Sequence, residues 1–442
     1  MENTDFDISE YFYIKNVSTK SGIFKVKRKA INVNAYVKQG YYNPDIEYSF
    51  APERPETWRK LDYMNDQGIL VYPQHKIYLR GNNPDGFNKS YKVAHSLNFS
   101  QFYKVGGNIF SLLKRTSFYS LRNVPRCCFA NLFKNSYCLL NTPNFSMIRN
   151  VGEYGFYKAF RNCHNLRETS NFDSLETIRH NSFQQAFLAD VKLKEAPQFP
   201  ILKTIPSFGF QMAFCECVGM RTTPKFENVT RIGKFGLYKC FYRNLNIKES
   251  PILGKVNSIG EYGMFACFQE DEHLITVPSL ANLRLIRNHS FVRCFMLCPK
   301  IKSTPKFNEI VKIPDYAFYL CFRLCAKLKH IYFDNVEYIG YRAMEFGFNR
   351  CDELVKTPKF EKVHTIEQYG LRQAFYKCVS LKYAYGFPSL QKYTPDSLLN
   401  CYELCDEIET QLKDSKGVII YEGKKFLGEL YFGGVKSPKL KK

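Results

Sequence analysis

Cysteine at regular spacing is the first feature of this 442-residue sequence that could do chemistry. Cys294, Cys298, Cys321 and Cys325 form two Cys-x-x-x-Cys pairs 27 residues apart, and four thiolates turned to one point would hold zinc tetrahedrally. The pairs enclose Phe295 and Phe322, however, which assigns the cysteines to a continuous core layer. Twelve of the sixteen Cys occupy just two sites of a recurring pattern, one where Ala replaces them and one where Asn or Asp does. The first site wants a small buried group and the second a weak hydrogen-bonding group, so packing is the expectation, with no metal and no other cofactor. Asp190 and Asp271 fall at the second of these sites, Glu407 and Glu409 form a lone pair, and the eight His show no recurring ligand or catalytic spacing. No enzyme is expected from them.

The cations are placed more suggestively. Arg167, Lys194, Arg221, Lys248, Lys302, Lys329 and Lys382 recur at one site, each next to an inward aliphatic residue. Such a position must point outward, and stacking would align its charges. Glu168, Glu195 and Glu249 stand one residue on and could pair with them, which makes a solvated face the first reading. The second is a binding stripe for an acidic glycan or an acidic protein face.

What must position these residues is a repeat. Aromatic anchors stand at Phe133, Phe160, Phe187, Phe214, Phe241, Phe268, Phe295, Phe322, Phe348, Phe375 and Tyr402, at steps of 27 residues with a single step of 26. The third residue after an anchor is Cys, Asn or Asp, the sixth is aliphatic, the seventh carries the stripe, the tenth is often Pro, and the eighteenth is Ile or Val. Triplets such as Phe183, Ala186 and Phe187 have helical spacing and predict a short helical turn before each anchor. The segment around the sixth position reads as the short strand, and the proline stops any helix. The fold class expected is an α+β repeat solenoid of eleven units, because no unit of this size can bury its apolar side alone.

A net charge of +22 points to an acidic partner or surface. From Gly86 to Gly152 there is no acid against nine Lys and Arg. The acidic start lacks the apolar core of a signal peptide, and no stretch approaches a membrane span, so synthesis in a cytosol and free thiols are expected. The domains expected are a β-rich segment 1–113, the solenoid over 114–410, and a C-terminal cap and basic tail over 411–442. In that cap Val418–Tyr421 and Phe426–Phe432 read as a β-hairpin.

The recurring stretch seen in Ile178 through Leu193 and in Ile366 through Leu381, with its Ala-Phe pair and closing Leu, resembles the BspA-like leucine-rich repeats. Tyr48-Ser49, Thr57-Trp58, Arg80-Gly81-Asn82-Asn83 and Gly106-Gly107-Asn108 follow an order similar to the small β-sandwich module that precedes such repeats in proteins of gut bacteria and their tailed phages. The resemblance implies recognition and adhesion without catalytic residues. It suggests a phage virion component attached to head or tail, made in the host cytoplasm and bound to other structural proteins. A bacterial cell-surface adhesin is the alternative. A basic nucleic-acid scaffold is a further one, disfavoured because no groove-reading or base-stacking module is present.

Overall fold

The computed structural model describes residues 122–408, apart from some positions between 125 and 143, together with short strand pairings outside that range. The β-sandwich-like domain expected over 1–113 and the basic tail lie outside the described residues. The chain divides into two compact units, Met1–Phe199 and Pro200–Lys442.

Each coil contributes one two-residue strand. In the first unit Asn123–Val124, Asn150–Val151 and Thr177–Ile178 pair in parallel. In the second, Thr204–Ile205, Arg231–Ile232, Ser258–Ile259 and Leu285–Ile286 form one parallel sheet. Lys312–Ile313, Tyr338–Ile339, Thr365–Ile366 and Lys392–Tyr393 form another. The aliphatic residue of the strand is buried, as at Val151, Ile232 and Ile313, and its polar neighbour faces outward. The strand is therefore at the eighteenth position after the anchor and not at the sixth, where it was expected. Near the sixth the described coils meet through single hydrogen bonds and isolated bridges, Asn141 to Glu168, Ser303 to His330 and Lys356 to Tyr383 among them. The recurrent proline at the tenth position removes a ladder donor there, whereas pairs such as Thr-Ile and Lys-Ile satisfy both the two-residue alternation and the β preference of a branched side chain.

No helix occurs among the described residues, so the solenoid is built of strands and turns rather than α and β elements. The apolar triplets are buried as expected, Phe183, Ala186 and Phe187 among them, but their backbone is a run of turns. Every fourth residue is left-handed, as at Tyr154, Lys158 and Asn162 or His289, Arg293 and Leu297. Successive N–H groups alternate in what they bond. Tyr157 donates back to Tyr154 at 3.1 Å and Ala159 to Phe156 at 3.0 Å, while Phe156, Lys158 and Phe160 donate onward to Ser182, Gln184 and Ala186 at 2.7, 3.0 and 2.8 Å. A left-handed residue with a side chain costs roughly 1–2 kcal/mol. The coil-to-coil bonds it permits return about 0.5–1.5 kcal/mol each and leave no backbone donor of the run idle. The resulting period is four residues, which puts Phe156 below Phe160 and Phe291 below Phe295.

The anchor rings fill each unit's core. Phe133, Phe160 and Phe187 stack at 5.1 and 5.2 Å in the first. In the second, the rings from Phe214 to Tyr402 stack at 5.2 to 5.8 Å, within 10° of parallel. Coils approach closely enough to require glycine at Gly260, where a Cβ would lie 2.7 Å from the Lys234 nitrogen. After the last coil, Leu412–Lys413 pairs antiparallel with Ile419–Tyr421. The expected hairpin partner Phe426–Phe432 lies outside the described residues.

Candidate binding surface

The third residue of each coil is positioned by the turn that ends at the anchor, and its side chain reaches back to the previous coil. Cys298 donates to the Phe268 carbonyl at 2.9 Å, Cys325 to Phe295 at 3.0 Å, and Asn244 Nδ2 to Phe214 at 2.8 Å. Burial pushes these thiols up, Cys325 to about 12, so they remain protonated donors. Cys294 and Cys321, next to the anchors in the chain, are buried too, and burial pushes their thiols up as well. That geometry supports the packing reading of the four cysteines. Asp190 and Asp271 occupy the same slot. Burial holds both carboxyls well above the usual range, although the Cys163 N–H on Asp190 Oδ1 at 2.7 Å and the Asn244 N–H on Asp271 Oδ1 at 2.6 Å act against it.

The seven residues of the basic stripe are all exposed. Arg167 and Lys194 lie in the first unit, joined by the Lys194 N–H on the Arg167 carbonyl at 3.4 Å. Arg221, Lys248, Lys302, Lys329 and Lys382 lie in the second, where Lys329 N–H donates to the Lys302 carbonyl at 2.9 Å. Ile275 and Val355 interrupt the stripe as exposed apolar residues. Instead of an acid one residue on, Lys329 takes Glu353 of the following coil at 3.0 Å. Such an exposed pair contributes roughly 0–1 kcal/mol and leaves the lysine available.

A second surface feature escaped the sequence reading. Six residues before successive anchors, Phe208, Phe235, Tyr262, His289 and Tyr316 stack into a half-buried ribbon, with centroids 4.9, 4.9, 4.5 and 4.8 Å apart. The signal was present as an aromatic at that spacing, but a helical reading of the segment gave the position no continuous column. The rings spend their faces on one another and present edges to solvent.

Residues 87–412 match the BspA type leucine rich repeat region, in overlapping stretches 87–210, 130–269, 197–324, 238–382 and 292–412. The chain belongs to the BspA-type leucine-rich repeat family. Among solved structures, this BspA-type chain is similar to a leucine-rich repeat protein from Bacteroides ovatus ATCC 8483, at 20% identity and a TM-score of 0.40 over 67% of this chain and 75% of that one. It is also similar to a leucine rich cell surface protein from Faecalibacterium prausnitzii A2-165, at 18% identity and a TM-score of 0.31 over 66% and 77% of the two chains. No curated protein matches the chain. No helix among the described residues is long and apolar enough to cross a membrane.

Proposed function

We propose that this BspA-type repeat protein is a non-enzymatic recognition module that docks acidic faces of other proteins through its aligned cations, Arg167 and Lys194 in one unit and Arg221, Lys248, Lys302, Lys329 and Lys382 in the other. The observation that supports this reading is the exposure of every stripe residue, with coil-to-coil hydrogen bonds beneath them inside each unit, Lys194 N–H to Arg167 and Lys329 N–H to Lys302. Arranging like charges on a fixed ledge raises the local potential without the ordering cost that flexible loops would bring. The assembly served is, on the resemblance to phage-borne repeats, a virion, and the alternative is a cell surface.

A zero-length carbodiimide cross-link, which joins a lysine to a carboxylate, tests this on purified particles and on intact cells. Lys194, Lys248, Lys302, Lys329 and Lys382 are expected to be the lysines joined to acidic residues of another protein. Cross-links that arise only from lysines elsewhere on the chain contradict the reading, and the preparation that yields them tells virion from cell surface.

A further inference from the structure

The one short step of the repeat, 26 residues from Phe322 to Phe348, opens a groove. Its register shows which residue is missing. Tyr332 N–H donates to Thr304 Oγ1 at 3.1 Å just as Tyr385 N–H donates to Thr357 Oγ1 at 2.9 Å, so Tyr332 is the tenth residue of its coil. Phe333 stacks on Phe307 at 4.9 Å and so takes the place of the twelfth. The eleventh is absent. In the coils on either side that position is an exposed lysine, Lys306 and Lys359. Beside the gap, which Tyr332 and Asp334 flank, lies an open groove of about 880 Å³, lined also by Lys329, Glu353, Lys356 and Tyr385 among others. This lies within the range of roughly 300–1,000 Å³ that small-molecule sites occupy.

The lining is chemically mixed. Lys329, Lys356 and Lys359 supply ammonium groups, with Lys359 Nζ 5.6 Å from the Tyr385 ring centroid. Glu353, paired to Lys329 at 3.0 Å, and the exposed Asp334 supply carboxylate acceptors. No backbone hydrogen bond among the described residues ties Val355 or Lys356 to Lys329 or His330, so their N–H groups add donors on the same wall. That last feature recurs at Lys248 and Lys302; the missing residue sets this step apart. An acidic peptide or a nucleic acid backbone would meet Asp334 and Glu353 with like charge. A carbohydrate carrying carboxylates uses both kinds of group, its carboxylate on the lysines and its hydroxyls on the acids, with the two tyrosine side chains against its C–H faces.

We propose that this groove is a binding site for a uronate-containing oligosaccharide. It shares Lys329 with the basic stripe but rests on the recognition reading only in that the chain binds rather than reacts. Calorimetric titration of the full chain at 0.15 M salt tests it, with trigalacturonate, a hyaluronan tetrasaccharide, neutral maltotriose and hexaglutamate as probes. At least one uronate is expected to bind tenfold more tightly than both maltotriose and hexaglutamate. Lys356→Gln and Tyr385→Ala should each weaken that binding at least fivefold, and inserting one Ala between Tyr332 and Phe333, which restores the 27-residue step, should abolish it. Reversing Arg221 and Lys248 to Glu should change it less than twofold, since they lie three coils or more from Lys329, roughly 14 Å at about 4.8 Å per coil, and charges beyond about 8 Å are screened at this salt. Uronates that bind no better than maltotriose, hexaglutamate binding equally well, or undiminished binding by a folded insertion variant would each overturn the proposal. So would a loss confined to the stripe variant, which assigns the uronate to the stripe.

Discussion

The thiol of Cys325 donates to the backbone carbonyl of Phe295, the anchor of the preceding coil, at 3.0 Å. Cys163, Cys351, Cys378 and Cys405 make the same bond to Phe133, Phe322, Phe348 and Phe375, at 2.9 to 3.2 Å. The side-chain donor thus adds a second hydrogen bond to a carbonyl that already accepts one from the backbone, as the Cys298 N–H does on Phe295 at 3.2 Å, which explains why Cys and Asn interchange at this position.

Cys325→Ala should therefore cost about 0.5–1.5 kcal/mol, the worth of that one hydrogen bond, beyond the loss of the sulfur's contacts. Cys325→Ser, which keeps a donor, should cost less. Denaturant unfolding of the full chain followed by tyrosine fluorescence checks the order. Equal losses for Ala and Ser would mean the thiol merely fills space.

Asp271 sits in the same slot and is fully buried. Burial raises its folded-state pKa above the unfolded value, so the folded chain holds this proton more tightly. Its contribution to stability is complete below the unfolded pKa and is lost as pH rises through the folded one. Asp271→Asn, which keeps a donor at every pH as Asn244 does, should be more stable than the parent at pH 8 by about 1 kcal/mol or more, the worth of the hydrogen bond it can then make. Melting temperatures of both proteins from pH 4 to 9 should diverge as pH rises. Curves that stay parallel contradict a neutral buried acid.

Phe295 is fully buried between Phe268 and Phe322, 5.3 and 5.2 Å away. Phe295→Ala should cost roughly 3–5 kcal/mol, the usual loss for a large core ring. A melting temperature unmoved by this change would mean that the ring stack does not carry the core.

Much of this was legible because a repeat reports each position many times. Single Phe residues say little, but eleven anchors at one spacing identify a buried column, and seven cations beside inward aliphatics identify an outward one. The conformation before the anchor was not legible. Phe183 and Phe187 are four apart, and over one interval a period of 4.0 cannot be told from the 3.6 of a helix. Deciding between them takes the left-handed Gln185, and Gln has no preference for that region that a sequence could betray. The strand was misplaced for a related reason. Two residues such as Thr177 and Ile178 are too few to show alternation, and the recurrent aliphatic of the sixth position, ahead of the proline, drew the assignment instead. The groove beside Tyr332 was signalled by the single 26-residue step, but only hydrogen-bond register locates the gap.

The stripe is tested most directly by charge reversal against a matched control. One variant carries Arg221→Glu, Lys248→Glu and Lys302→Glu. The other carries Lys203→Glu, Arg231→Glu and Lys255→Glu, three exposed cations outside the stripe with the same change in net charge. Exposed substitutions of this kind seldom cost more than about 0.5 kcal/mol each, so both should stay folded. Affinity for poly-L-glutamate at low salt is the measurement. The stripe variant should bind at least tenfold more weakly than the control, a difference of about 1.4 kcal/mol, and the gap should close as salt is raised. Equal weakening in the two variants would contradict a binding stripe and leave these seven cations as a solvated face.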